Sequence, residues 1–484
     1  MNRKSGHFDE PDDIDKVGGR IMLTLSRKIV VNIGDNYIET YLRKKGHVRT
    51  EEQKAKRVEY WVNDLITQKE LDVQEFEDFL YEELFFGKRK CIRIYHLDCL
   101  NKIRNPRDWA SNLNRVFGQS ELNFNSILTM IPSKEEPEKI AAVTSETDYK
   151  GNLSKIQILL VRYAETWEEG RINETCSYYP VEIDLKKETM NIKAWNRQGL
   201  TENYRTEEYM DRIVGLLSSN FDVITRNYMS EHKKALHNMS QGIVADLYSK
   251  IPAFNEIQNI EQESGEFEKK VLEKLSLKHL DEQEEGSISK YVFDFQEELK
   301  KVMEKLCICD YFYDVQHETA VWEMGVEMIV SKIKFQDIEH VLTIMSSESS
   351  RIPVFCTKTF LSLKKSLEDA KVVDRLWIEK SRKKGKLSLA YNATKDEFLE
   401  VKILSGIRFK REDLKSWNKY LAFCMKNYRL NAKGLNYKII DFIDIYIEEI
   451  VNSFIKFDIS KLILPDISAQ YLHIDKHKNR EYEE

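Results

Sequence analysis

The sequence predicts a mixed α+β protein. Three observations lead there: a hairpin with alternating character at residues 178–195, apolar residues at three-and-four spacing in several separate tracts, and a helix–strand–strand–strand–helix order late in the chain. In the hairpin, Tyr179, Val181, Ile183 and Leu185 alternate against polar neighbours. Lys186-Lys187-Glu188 makes the turn, and residues 190–195 return.

The remaining elements follow in order. Residues 20–33 are a first apolar run and read as one or two strands. Val58, Trp61, Val62, Leu65 and Ile66 then recur at helical spacing, and Phe76, Phe79, Leu80, Leu84 and Phe85 continue it after a break. A strand at 91–97 and a short helix at 109–117 precede strands at 126–131, 140–144 and 156–163. Past the hairpin, helix is expected from 207 to about 251, with Ile213, Leu216, Leu217, Phe221, Ile224, Ile243 and Leu247 facing inward. The second half opens with an amphipathic helix at 291–310, a segment at 322–329 and strands at 331–335 and 340–345. A helix to Ala370 follows, then strands at 372–378, 387–391 and 397–404 and a helix at 412–425, with a basic turn at 380–386.

At 484 residues the chain exceeds one ordinary core. The expected division is a disordered tail at 1–18, a mixed α/β domain at 19–200, a helical segment at 201–254, a linker or solvated helix at 255–286, a C-terminal α/β domain at 287–474 and a second disordered tail at 475–484. The boundary rests on charge, since residues 255–285 hold 10 Asp/Glu against 4 Lys.

Composition excludes several classes. With 42% hydrophobic residues and 11% aromatics the chain is no disordered polymer, and a net charge of −6 confines any affinity for polyanions to local patches. Seven scattered cysteines fit a reducing compartment. The first fifteen residues have no apolar core of the kind a secretory signal needs. The longest apolar helix, 437–457, carries Asp441, Asp444, Glu448 and Glu449, so no membrane span is expected and the location is read as cytoplasmic. Its stripe of Ile439, Ile443, Ile447 and Phe454 suits burial, or a protein partner or homo-oligomer interface. Abundant Lys, Ile, Asn, Glu and Tyr with scarce Pro is a balance common in AT-rich bacterial genomes.

Chemistry concentrates at Phe398-Leu399-Glu400-Val401-Lys402-Ile403-Leu404. Residues two apart on a strand face the same side, so Glu400 and Lys402 stand together. Residues 371–420 hold 14 Lys/Arg against 7 Asp/Glu, and within this island Arg382, Lys383, Lys384, Lys386, Lys410 and Arg411 are the expected nucleic-acid contacts. The strand order with its Glu-x-Lys resembles the core of restriction-endonuclease-like nucleases, the PD-(D/E)xK superfamily. That resemblance implies a catalytic site of Glu400, Lys402 and a second carboxylate from the preceding strands, with Mg²⁺ held in part by Glu400. The Asp position of the family falls within 387–392, where Asn392 is nearest and Asp374 lies one strand earlier.

A second constellation is Arg226-Asn227-Tyr228-Met229-Ser230-Glu231-His232, which resembles the R-x(4–6)-H signature of HEPN ribonucleases. It implies Arg226 holding phosphate and His232 moving a proton without metal. Cys307-x-Cys309 with His317 reads as core, because Leu306, Ile308, Tyr311 and Phe312 surround it and no second cysteine pair completes a metal site. Gly87-Lys88-Arg89-Lys90 reads as a basic turn able to touch a backbone phosphate. No serine-hydrolase, zincin or dinucleotide fingerprint occurs. The expected function is nucleic-acid binding, as an active or degenerate nuclease-like component of a bacterial antiviral-defence or mobile-element system. The alternatives are a non-enzymatic structural or interaction subunit and a HEPN-type ribonuclease.

Overall fold

Residues 27–33 form a helix rather than the strand that Ile29-Val30-Val31 suggests. The Ser26 hydroxyl caps it, accepting from the Lys28 N–H at 3.2 Å, and Ile29, Val30 and Ile33 turn together into the core. Packing against a sheet has overridden β propensity here.

The computed structural model describes residues 23–168, 170–275, 295–311, 318–347, 353–382 and 385–404. All of them fall in one compact unit within residues 1–425. The 412–425 and 437–457 helices and both expected tails lie outside the described residues.

The helices in chain order are α1 Arg27–Ile33, α2 Asp35–Lys44, α3 Glu51–Lys54, α4 Val58–Thr67, α5 Val73–Glu82, α6 Pro106–Phe117, α7 Thr206–Phe221, α8 Glu231–Ser249, α9 Pro252–Glu256, α10 Glu261–Leu275, α11 Phe295–Tyr311, α12 Glu318–Glu323 and α13 Lys358–Ala370. The strands are β1 Cys91–Asp98, β2 Phe124–Asn125, β3 Glu138–Thr147, β4 Leu153–Glu168, β5 Arg171–Asp184, β6 Thr189–Ala194, β7 Ile224–Arg226, β8 Met328–Gln336, β9 Leu342–Ser346, β10 Arg375–Arg382, β11 Gly385–Asn392 and β12 Leu399–Ile403. The α+β class is therefore the observed one.

All twelve strands join in a single antiparallel sheet ordered β2-β3-β4-β5-β6-β1-β12-β11-β10-β8-β9, with β7 also paired to β1. Strand β1 is the junction. Its residues 91–96 pair with β6 on one edge, and on the other its residues 91–94 pair with β12. Strands on both sides of the acidic 255–286 segment thus share one sheet, and the described part of that segment is helical, with Ser264 and Glu268 of α10 bonded to Gln296 of α11.

Two further elements differ from expectation. Residues 126–131 turn instead of extending: the Thr129 and Met130 N–H groups return to the Ser126 carbonyl, and Ile127 and Leu128 plug the core beneath α5. The helix expected from 207 to 251 is broken, because Asp222 and Met229 adopt left-handed backbone at φ 55° and 53° and β7 lies between them.

Helices cover the two sheet faces unequally. One face buries Leu159, Val161 and Tyr178 under α1, α4 and α5, then Val330, Ile378, Leu389 and Val401 under α8 and α13. On the other, α6 and α7 cover Ile158, Val181, Ile192 and Cys91.

Candidate functional site

Registers across the sheet define one row of directly opposed residues on the face that carries Glu400. It runs Phe124, Val143, Ile158, Val181, Ile192, Arg93, Glu400, Asn392, Arg375, Lys334, Ile344, one residue from each of eleven strands. Directly opposed residues share a face. The row changes character at β1: five apolar side chains packed with α6 and α7 give way to five polar or charged ones before the exposed Ile344 ends it. The adjacent row repeats the pattern, passing from Ala194 and Cys91 to Lys402, Ala390, Trp377, Lys332 and Ser346.

Beyond β1 this face is half-exposed, with Lys332, Lys334, Arg375, Trp377, Asn392 and Lys402 all partly accessible. Their backs are anchored in the core, since Ile333, Leu376, Leu389 and Val401 alternate with them and are buried. The Lys332 ammonium lies 5.0 Å from the Trp377 ring centroid. Among the described residues, Lys332, Lys334 and Arg375 form no ion pair, while Arg375 Nε donates to Asn392 Oδ1 at 3.1 Å.

Glu400 is 8% exposed and already engaged. Lys402 Nζ stands 3.2 Å from its Oε2, Asn392 Nδ2 donates to the same oxygen at 3.4 Å, and Cys91 Sγ lies 3.9 Å from Oε1. Burial, with the Glu400 charge second, pushes the Cys91 thiol up to about 12, so it stays protonated. At the edge of α7 the buried Arg93 guanidinium is held by Asp211 at 2.6 Å and lies 4.4 Å from the Phe398 ring.

Asp374 takes another partner. Arg375 occupies the Glu400 face, and the Asp374 carboxylate turns to the α8 side, 3.0 Å from Lys233. The donors beside Glu400 are therefore one carboxamide, one ammonium and one thiol. Among the described residues no group of three His, Cys, Asp or Glu stands close enough to hold a metal ion, and a single carboxylate saturated by Lys402 and Asn392 does not fit Mg²⁺. An Asn392→Asp variant should supply the second acid directly across from Glu400. We expect it to melt below the wild type without divalent ions, through like-charge repulsion of about 0.2–1 kcal/mol, and to regain that loss in Mg²⁺. Thermal melting of both proteins with and without Mg²⁺ checks it; equal responses would show that the carboxylates do not share an ion.

The second constellation separates onto two elements. Arg226 ends β7 opposite His96 and pairs with Glu231 at 3.5 Å, whereas His232 sits in the first turn of α8, fully buried. Its Nε2 lies 2.8 Å from the Ala393 carbonyl oxygen, and the ring meets Tyr228 edge-on. Burial holds its pKa below the ordinary 6.5, so the imidazole is neutral and serves the turn between β11 and β12.

Within the basic island, Arg382 ends β10, and Lys386 on β11 places its ammonium 5.6 Å from the Trp322 ring. Lys383, Lys384, Lys410 and Arg411 lie outside the described residues. Sequence reading missed Lys332, Lys334, Arg375 and Trp377. Their signal was present as alternation of cation or aromatic with apolar residues in 330–335 and 375–378, but nothing local says that β8 and β10 are neighbours.

No protein-family model, curated protein or solved structure matches the chain.

Proposed function

We propose that the protein binds single-stranded nucleic acid on the half-exposed face of β8, β10, β11 and β12. The observation that carries this reading is the pair of adjacent rows in which Lys332, Lys334, Arg375 and Lys402 surround Trp377. Strands stand about 4.8 Å apart, so the cations spread over roughly 14 Å from β12 to β8, enough to follow a phosphate backbone. A partly exposed indole among them offers a surface on which a base can stack, the combination used by proteins that hold single strands without reading sequence. Local cations suffice because three of them are not already spent on carboxylates, whatever the overall charge of −6.

Glu400 and Lys402 then act chiefly as a scaffold. The Asn392 side chain ties β11 to Glu400 on β12, and the ion pair along β12 leaves the Lys402 ammonium at the edge of the surface.

Fluorescence anisotropy with short labelled DNA and RNA strands at low salt tests the reading. Trp377→Ala should weaken binding by about 1–3 kcal/mol, the worth of one stacked base. Failure of the wild type to bind either strand at low salt sinks it. Strand cleavage in Mg²⁺ that disappears in Glu400→Ala would instead make this face an active site.

A further inference from the structure

A separate cavity lies elsewhere in the molecule. A cavity of about 610 Å³ opens between the start of α2 and the chain just after β6. Its walls include Arg27, Gly34, Lys88, Trp195 and Arg197, none of which belongs to the β8–β12 surface.

Local structure delivers each of them. A π-helical turn, Glu83–Gly87, extends α5 and sets Lys88 and Arg89 on different sides, Arg89 into the core and Lys88 into the cavity. Gly34 adopts φ 108°, a conformation open to glycine, and begins α2 without a side-chain cap. Trp195 follows β6 directly.

The lining is rich in donors. Arg27 uses one terminal nitrogen for both Asp35, at 3.0 Å, and Glu59, at 3.4 Å. Arg197 is held by Glu168 at 2.8 Å and donates to Thr175 at 2.7 Å. Each guanidinium has five N–H groups, so both keep donors to spare. Lys88 differs, because it makes no ion pair among the described residues and donates to the Val31 carbonyl at 3.0 Å, with its ammonium 4.5 Å from the Trp195 ring centroid. Three cations line the cavity with two carboxylates, Asp35 and Glu168, while a third, Glu59, stands behind Arg27. An anion entering here meets an ammonium that no carboxylate has claimed.

We propose that this cavity binds a phosphomonoester of about nucleotide size, its phosphate between Lys88 and the first turn of α2 and its body along Trp195. Phosphate suits the abundance of donors over acceptors and the helix start beside Lys88. The volume fits more than a bare ion, since cavities of roughly 300–1,000 Å³ hold ligands of small-metabolite size. Burial, with Arg89 and Arg197 adding to it, pushes the Lys88 ammonium down to about 8. Binding should therefore weaken as pH rises past 8, where the free site loses that proton.

Titration calorimetry of the whole protein with adenosine monophosphate and with inorganic phosphate tests the proposal. The nucleotide should bind at least about tenfold more tightly than inorganic phosphate, and Lys88→Gln should cost about tenfold or more. Trp377→Ala should leave nucleotide affinity unchanged, and Lys88→Gln should leave oligonucleotide affinity unchanged, which also shows that the variant is folded. Absence of nucleotide binding, equal affinity for inorganic phosphate, or an unaltered Lys88→Gln variant would each overturn it. Either site can fail without the other.

Discussion

Replacing Lys332, Lys334 and Arg375 together by alanine should abolish most nucleic-acid affinity at moderate salt while leaving the fold intact. For a single strand, log K falls with log salt by about 0.7 per phosphate neutralised, so removing three cations should lower the slope by about 2. Relative to 1 M salt, that is a loss of roughly a hundredfold at 0.1 M. The fold should survive because these side chains are half-exposed and form no ion pairs among the described residues, while the core positions between them, Ile333 and Leu376, are untouched. Binding isotherms at several salt concentrations measure both quantities. A triple variant with the wild-type slope would place the contacts elsewhere in the molecule. Lowered affinity with an unchanged slope would mean that the variant disturbs the surface rather than its charge.

On the opposite sheet face, Glu182→Ala should cost about 3–5 kcal/mol of stability, the penalty for stranding a buried charge. Glu182 belongs to a polar row in which it opposes Gln157 and Asn191. Its neighbour on that face, Lys193, is 0% exposed, with its ammonium 4.3 Å and 4.2 Å from the rings of Phe85 and Phe86. Lys155 stands 3.1 Å from the same carboxylate. Burial pushes the Glu182 carboxyl up, but Lys193 and Lys155 outweigh it and bring the group down from 4.5 to about 2. Between those values the unfolded chain takes up a proton that the folded one refuses. The stabilisation is therefore complete above pH 4.5 and drains away as pH falls toward 2. Urea denaturation across that window should show the slope in the wild type and a flatter profile in Glu182→Ala. Glu182→Leu combined with Lys193→Met should recover much of the loss, because the apolar pair leaves only the partly exposed Lys155 without its carboxylate. If the double variant is as unstable as the single one, packing rather than charge holds this row.

Much of the architecture is legible in the chain. The 178–195 hairpin appears as β5 and β6 because alternation and a short polar turn are local signals. Helix α13 and strands β10 to β12 appear in their expected order for the same reason. The sharing of one face by Glu400 and Lys402 follows from period-two geometry alone, and they form an ion pair. Residues 27–33 were misleading, since three β-branched or apolar residues in a row favour a strand until a sheet is there to pack on. Residues 226–232 misled differently: an Arg and a His at family spacing fall on separate elements once Met229 turns left-handed.

The sequence by itself determined which side chains can share a face, where most elements lie, and that a basic island interrupts an acidic chain. Tertiary structure alone decided which strands become neighbours. Cys91 and Glu400 meet across 309 positions of chain, and that pairing of β1 with β12 turns two separate stretches into one sheet. Only then do Lys332, Lys334, Arg375, Trp377 and Lys402 become one surface, and only the chain's return past β6 brings Trp195 to Lys88. The physical reason is range: alternation is set by the geometry of each residue and its neighbours, whereas register between distant strands is chosen by how the buried faces fit beneath their helices.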